Sequence, residues 1–136
     1  MYLIPVEIRE SKIEGKGVFA TDAIANGTIV WKFVSGYDMT MSIDDALSAS
    51  DEVRAMLEKV AYISKTTKRY VYPPENDIAL YTNHSDKNNL SVMYDEVISE
   101  EPFFVANRNI EKGEEITNNY YEFDEVIKIK KQKFLR

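Results

Sequence analysis

Apolar and polar residues trade places along this chain in short bursts, the period-two signature of strands, rather than in long helical stripes. Residues 3–9 alternate loosely and predict a strand. Ser11-Lys12-Ile13-Glu14-Gly15-Lys16-Gly17 reads as a turn with two glycines, followed by a short strand, Val18-Phe19-Ala20. Ala25-Asn26-Gly27 is a turn signal, and Thr28 to Val34, β-branched and aromatic, predicts a further strand closed by Ser35-Gly36. Residues 69–72 predict a strand closed by Pro73-Pro74, and Asp77 to Tyr81 a single helical turn. Leu90 to Tyr94, Phe103 to Asn107 and Glu115 to Tyr121 predict extended segments, with a turn at Lys112-Gly113.

One stretch departs from this rhythm. From Ser42 onward Ala46, Leu47, Val53, Met56, Leu57, Val60 and Ala61 recur at roughly helical spacing. Ser42 with Asp45 resembles a capping box, and Ser50 before Asp51 offers a second N-cap, so two helices are expected inside an insertion spanning about 42–67. The tail Val126 to Arg136 predicts a basic helix with Ile127, Lys130, Lys131 and Phe134 near one face. Many short strands with one helical insertion predict a mostly β, α+β fold of several small sheets. No long βαβ period is present, which argues against a doubly wound sheet.

The 136 residues fit one domain, 1–136, with one core. Cysteine is absent, which excludes disulfides, cysteine-ligated zinc and a cysteine nucleophile, and the single His84 excludes a histidine-rich metal site. MYLIPVEIRE lacks the basic and apolar regions of a signal peptide, and no apolar run reaches the ~20 residues of a membrane span. A formal net charge of −6 disfavours direct nucleic-acid binding and suits a basic protein partner, or merely solubility. Nine tyrosines leave phenols to spare for a polar pocket.

Three segments carry candidate chemistry: Gly15-Lys16-Gly17-Val18-Phe19-Ala20, then Asn83-His84-Ser85 with Asn89, then the run from Ala106 through Arg108, Ile110, Gly113, Glu114, Glu115 and Thr117 to Tyr120. Each has a plain reading alone: hairpin glycines, a capping Asn beside a surface His, a core tyrosine. Together, in this order and over about residues 6–121, they resemble the SET-domain family of protein lysine methyltransferases. The minimal stand-alone members of viral or bacterial type are the nearest in size.

The resemblance implies a β-clip fold with a threaded, knot-like C-terminal segment and S-adenosylmethionine as cofactor. It implies cofactor contacts at Lys16, Gly17, Val18, Asn83, His84 and Tyr120, with Tyr120 catalytic and His84 not a general base. A lysine channel is expected among Tyr70, Tyr72, Tyr81, Tyr121 and Phe123. Arg108, Glu114 and Glu115 are read as turn and fold-stabilising residues, and Asn89 as helping to thread the chain. The expected substrate is a lysine of a histone or other basic protein, and the alternative is a non-catalytic SET-like module holding cofactor or peptide.

The sequence departs from the family pattern at Asp86, Lys87 and Asn88 after Asn83-His84-Ser85, and at Asn118, Asn119 and Tyr121 around Tyr120. Without cysteine-rich flanking modules, the tail Glu122–Arg136 or a second copy in a homodimer must close the channel. The expected location is the cytoplasm of the producing cell, or a host nucleus for an effector or viral protein.

Overall fold

Val18 and Ile116 are fully buried and stand opposite each other across the strand pair that organises the molecule. The computed structural model describes residues 1–125, and the predicted tail helix lies outside the described residues. Strand β1 (Val6–Glu10) pairs antiparallel with β2 (Lys16–Ala20) through the two-glycine turn, Val6 opposite Ala20 and Glu10 opposite Lys16. Gly15 has φ +48°, a conformation costly for any residue with a Cβ.

Strand β3 (Ile29–Trp31) is shorter than the expected Thr28–Val34, and its register against Val105 and Phe104 shifts between Ile29 and Trp31. The first predicted strand also starts late, at Val6. Before Pro5 the chain instead leans on β3: Leu3 N–H donates to Val30 O at 2.8 Å, and Tyr2 bridges Trp31.

β4 (Met39–Met41) precedes the helical insertion, where α1 (Ile43–Leu47) and α2 (Asp51–Val60) form as the cap residues predict. Ser42 Oγ accepts from Asp45 N at 3.1 Å and Ser50 Oγ from Val53 N at 3.3 Å, so each satisfies a backbone donor that a helix start leaves open. Leu57 is the buried anchor of α2. β5 (Tyr62–Ile63) and β4 flank β6 (Tyr70–Tyr72) in a three-stranded sheet.

A single 3-10 turn, Ile78–Tyr81, capped by Asp77, leads into β7 (Asn83–His84). β8 (Leu90–Met93) and β9 (Phe103–Ala106) form a second three-stranded sheet with β3 in the order β3-β9-β8. Finally β10 (Glu115–Asn118) enters between β2 and β7, giving the four-stranded order β1-β2-β10-β7. It runs antiparallel to β2 and parallel to β7, with Thr117 opposite Asn83 and Asn118 opposite His84. A late segment thus slots between two early ones.

The expected extended stretch Glu115–Tyr121 ends at Asn118. Asn119 Oδ1 accepts from Tyr121 N at 3.1 Å and caps a helical turn, α3 (Tyr120–Phe123). The core joins the four-stranded sheet to the β3-β9-β8 sheet: Val18, Val30, Trp31, Leu90, Phe104, Ile116 and Phe123 form one buried cluster, and partly buried Tyr62 of the third sheet packs against it. Each large apolar side chain so buried contributes about 1.5–3 kcal/mol.

Asn89 is 1% exposed and locks β10 in place. Its Nδ2 donates to Glu115 O at 2.8 Å and Glu114 Oε2 at 3.0 Å, while its Oδ1 accepts from Thr117 N at 2.9 Å. Asn89→Ala strands two backbone groups of β10, and the expected loss is about 2–4 kcal/mol of unfolding free energy. Urea denaturation measures it; a loss under about 0.5 kcal/mol, the scale of a neutral surface change, contradicts this role.

Candidate functional site

Strand pairing on both edges of β10 brings the two-glycine turn, Asn83 and Tyr120 into one region. Gly17 is buried, and a Cβ there would lie 2.4 Å from Glu115 Oε2 and 3.2 Å from Asn83 Nδ2. Only glycine lets those two polar groups meet over the strand. Asn83 Nδ2 contacts three acceptors: Glu14 O and Lys16 O, each at 3.1 Å, and Glu115 Oε2 at 2.9 Å. Ser11 Oγ donates to the other carboxylate oxygen, Glu115 Oε1, at 2.7 Å. An amide group has two hydrogens, so three acceptors cannot all be satisfied at once. The cluster therefore has acceptor capacity left for a cationic donor.

Tyr120 is fixed at both ends. Its backbone N–H donates to His84 Nδ1 at 3.1 Å, and its hydroxyl donates to Thr82 O at 2.8 Å. Accepting that bond makes Nδ1 the unprotonated ring nitrogen of His84. Phe123 packs edge-on to the Tyr120 ring at 5.9 Å between centroids. Burial pushes the Tyr120 phenol above its ordinary range, helped by the negative charges of Glu14 and Asp124. The phenol thus stays protonated at neutral pH, and having spent its hydrogen on Thr82 it keeps its lone pairs for other donors.

Two hollows lie in this region. The larger, about 1260 Å³, is lined by Tyr120 together with Tyr70, Tyr72, Tyr81 and Phe123. The smaller, about 710 Å³, is lined by Ile13, His84, Ser85, Asp86, Asn119 and Tyr121. Tyr120 and Tyr121, adjacent in sequence, thus serve different hollows, and the His84 ring sits 5.1 Å from the first and 5.4 Å from the second.

This arrangement, glycine turn and Asn-His-Ser strand joined by a strand ending in tyrosine, agrees with the family comparison. The family described as SET domain matches residues 15–121. The chain belongs to the SET-domain family. No curated protein gives a significant match.

Solved structures share the fold of this SET domain. A Plasmodium falciparum protein provisionally named a histone methyltransferase is 20% identical with a TM-score of 0.56, covering 86% of this chain and 93% of its own. Chaetomium thermophilum Polycomb Repressive Complex 2 bound to GSK126 contains a chain 23% identical with a TM-score of 0.63, over 95% of this chain and 17% of that one. An apo ctPRC2 with mutations in Ezh2 gives 21% and 0.63, over 93% of this chain and 16% of that one. The SET domain thus spans nearly all of the first relative but about a sixth of each of the other two chains.

Of the residues singled out from sequence, the structure brings Gly17, Asn83, His84 and Tyr120 together. Val18 offers only its backbone there, since its side chain is in the core, and the Lys16 residue is exposed. Phe123 is 5% exposed and packs edge-on to Tyr62 and Phe104 as well as Tyr120, so it is as much core as cleft wall. Tyr121 is exposed and lies with His84 at the smaller hollow, apart from the other aromatics grouped with it from sequence.

Glu115 is more than a turn residue, because it anchors Ser11 and Asn83 at once, whereas Arg108 and Glu114, read as fold-stabilising, form a local ion pair at 2.9 Å. Sequence reading missed Thr82 and Tyr2. The Tyr2 hydroxyl shares a 2.6 Å hydrogen bond with Thr82 Oγ1 on the residue whose carbonyl holds Tyr120. No local motif marks either one.

Tyr2, Tyr62 and Tyr120 are all raised above the phenol reference of 10.0, chiefly by burial. Such groups favour the fold below the unfolded value, and that contribution disappears as pH rises through their raised native values. Alkaline unfolding is therefore expected to set in above pH 10, the unfolded phenol value. Tyr62 Oη is buried without a hydrogen-bond partner among the described residues, so Tyr62→Phe should be close to neutral at pH 7 and shift the alkaline unfolding midpoint upward. An unchanged midpoint in pH-dependent circular dichroism contradicts this.

Proposed function

We propose that this SET domain is an S-adenosylmethionine-dependent protein-lysine N-methyltransferase acting on a basic protein such as a histone. The observation that carries this reading is the position of Tyr120: its hydroxyl is held by Thr82 O, its ring lines the larger hollow, and its backbone is bonded to the His84 that lines the smaller one.

The residues at the smaller hollow and next to it fit the cofactor. The acceptor-rich cluster of Glu14 O, Lys16 O and Glu115, gathered on Asn83 just before His84, suits the ammonium of its amino-acid end. The ring faces of His84 and Tyr121 suit a flat base. When bound, this cofactor supplies an electrophilic methyl group on a sulfonium.

The chain's own residues do the rest. Tyr70, Tyr72 and Tyr81 offer ring faces that tolerate a methylated ammonium, while Asn118 and Tyr120 supply polar edges to the same cleft. A lysine in that apolar setting loses part of its preference for the charged form, so neutral amine becomes accessible. The lone pairs of the Tyr120 hydroxyl can accept from the amine and aim it. Catalysis here is positioning and desolvation, with no covalent enzyme intermediate. Glu115 and Asn83 hold the glycine turn, and Thr82 holds the phenol.

The test compares the native chain with Tyr120→Phe, using methyl-labelled S-adenosylmethionine and mixed histones. A loss on the order of 10²-fold in transfer is expected. S-adenosylhomocysteine at ~100 times its dissociation constant should stabilise both proteins by about 2.7 kcal/mol in a thermal-shift assay. Equal transfer by both proteins removes Tyr120 from catalysis. Stabilisation without any transfer favours the non-catalytic binding module, and no stabilisation argues against the cofactor.

A further inference from the structure

The connection between β8 and β9 holds apolar side chains out in solvent. Val97 is 95% exposed, more than any other large apolar side chain among the described residues. Met93, Tyr94 and Ile98 are exposed close to it in the chain, at 45%, 51% and 37%. A single exposed apolar residue is ordinary, but four within one short connection form a patch, and such patches mark contact surfaces. None of the four lines either hollow.

The patch is built on a turn that its own hydrogen bonds hold. Asp95 organises it: the carboxylate accepts from Val97 N at 3.0 Å, and the carbonyl accepts from Ile98 N and Ser99 N, each at 3.0 Å. Ser99 Oγ then accepts from Glu101 N at 3.3 Å. These backbone donors are satisfied within the turn itself, so Val97 projects from a preformed knob that loses little freedom on docking. At its base the Tyr94 hydroxyl donates to Glu122 O at 3.4 Å, so the knob adjoins α3, the helical turn that carries Tyr120.

Charge selects the occupant. Asp95, Glu96 and Glu100 are exposed around the knob, and no basic side chain lies between Lys87 and Arg108. Such an acidic rim repels nucleic acid and anionic membranes. A second copy docked by the same face would set like charges against each other across a two-fold axis. A cationic protein with an apolar recess satisfies both the rim and the knob. We infer that the β8–β9 knob is a second docking surface, outside the lysine cleft, for the folded part of a basic substrate protein. Its service to methyl transfer rests on the methyltransferase reading above. Two contacts on one partner reinforce each other, because once one has formed the other closes at a raised effective concentration. The knob therefore raises affinity for a whole protein and does nothing for a short tail peptide that reaches only the cleft.

The test uses the full chain, with mixed core histones as the basic protein and a short histone-tail peptide beside them. A double variant, Met93→Ser with Val97→Ser, removes apolar contacts and leaves the bonds of the turn in place; circular dichroism confirms its fold. It should bind intact histones about 10-fold more weakly in surface plasmon resonance and raise their KM alike, with kcat and the KM of the peptide unchanged. Glu96→Gln with Glu100→Gln should also weaken histone binding and make it less sensitive to salt than that of the native chain. Equal histone affinities in all three proteins overturn this inference, and methyl transfer by them then leaves the enzymatic reading standing. Weaker binding by the variants, with no transfer by any of the three, keeps the surface and removes the methyltransferase reading. A native dimer that the double variant turns into a monomer assigns the knob to a second copy and overturns the inference.

Discussion

The placement of β10 governs everything else in this molecule. It pairs with β2 on one edge and β7 on the other, two segments far earlier in the chain. A strand between two partners has no free edge, so its register is set twice. Ile116 opposite Val18 places one face in the core, and Asn118 opposite His84 fixes where the strand must stop. Asn89 adds a side-chain lock across the same strand. The contacts are non-local and antiparallel or parallel by turns, so the site exists only once the whole domain has formed.

That constraint has a chemical result. The glycine turn, Asn83 and Glu115 form one polar cluster, tied together through a carboxylate that Ser11 and Asn83 share. Beyond it, Asn119 ends the strand and begins a helical turn, and this reversal sends Tyr120 and Tyr121 toward different hollows. Tyr120 remains a neutral phenol because burial and nearby carboxylates oppose its ionisation. A neutral oxygen with its proton already committed to Thr82 is suited to accepting and aiming, not to proton abstraction. The ring of His84 is likewise occupied in holding the Tyr120 backbone.

Much of this was legible in the sequence because the signals are local or occur as motifs. The caps Ser42 and Ser50, the turn at Gly15 and Gly17, and the strands at 70–72, 90–93 and 103–106 follow from composition and spacing. The ordered set of motifs gave the family, which the match over residues 15–121 bears out. The misses have physical causes. Asn119 is a favoured cap residue, yet Ile116 and Thr117 before it and Tyr120 and Tyr121 after it are strand-favouring, which extended the predicted strand too far. Thr82 and Tyr2 act through a carbonyl and a hydroxyl brought together over 80 residues of chain, and no periodicity reports such a contact. The double role of Glu115 depends on Ser11 standing 104 residues away.

The central claim is that one tyrosine divides a cofactor hollow from an amine cleft. A crystal structure of the chain with S-adenosylhomocysteine tests it most directly. The account predicts the base beside His84 and Tyr121, the amino-acid end at Lys16, Gly17 and Asn83, and the sulfur turned toward the Tyr120 hydroxyl. Ligand density in the large cleft among Tyr70, Tyr72 and Tyr81, or on a face remote from Tyr120, would contradict it.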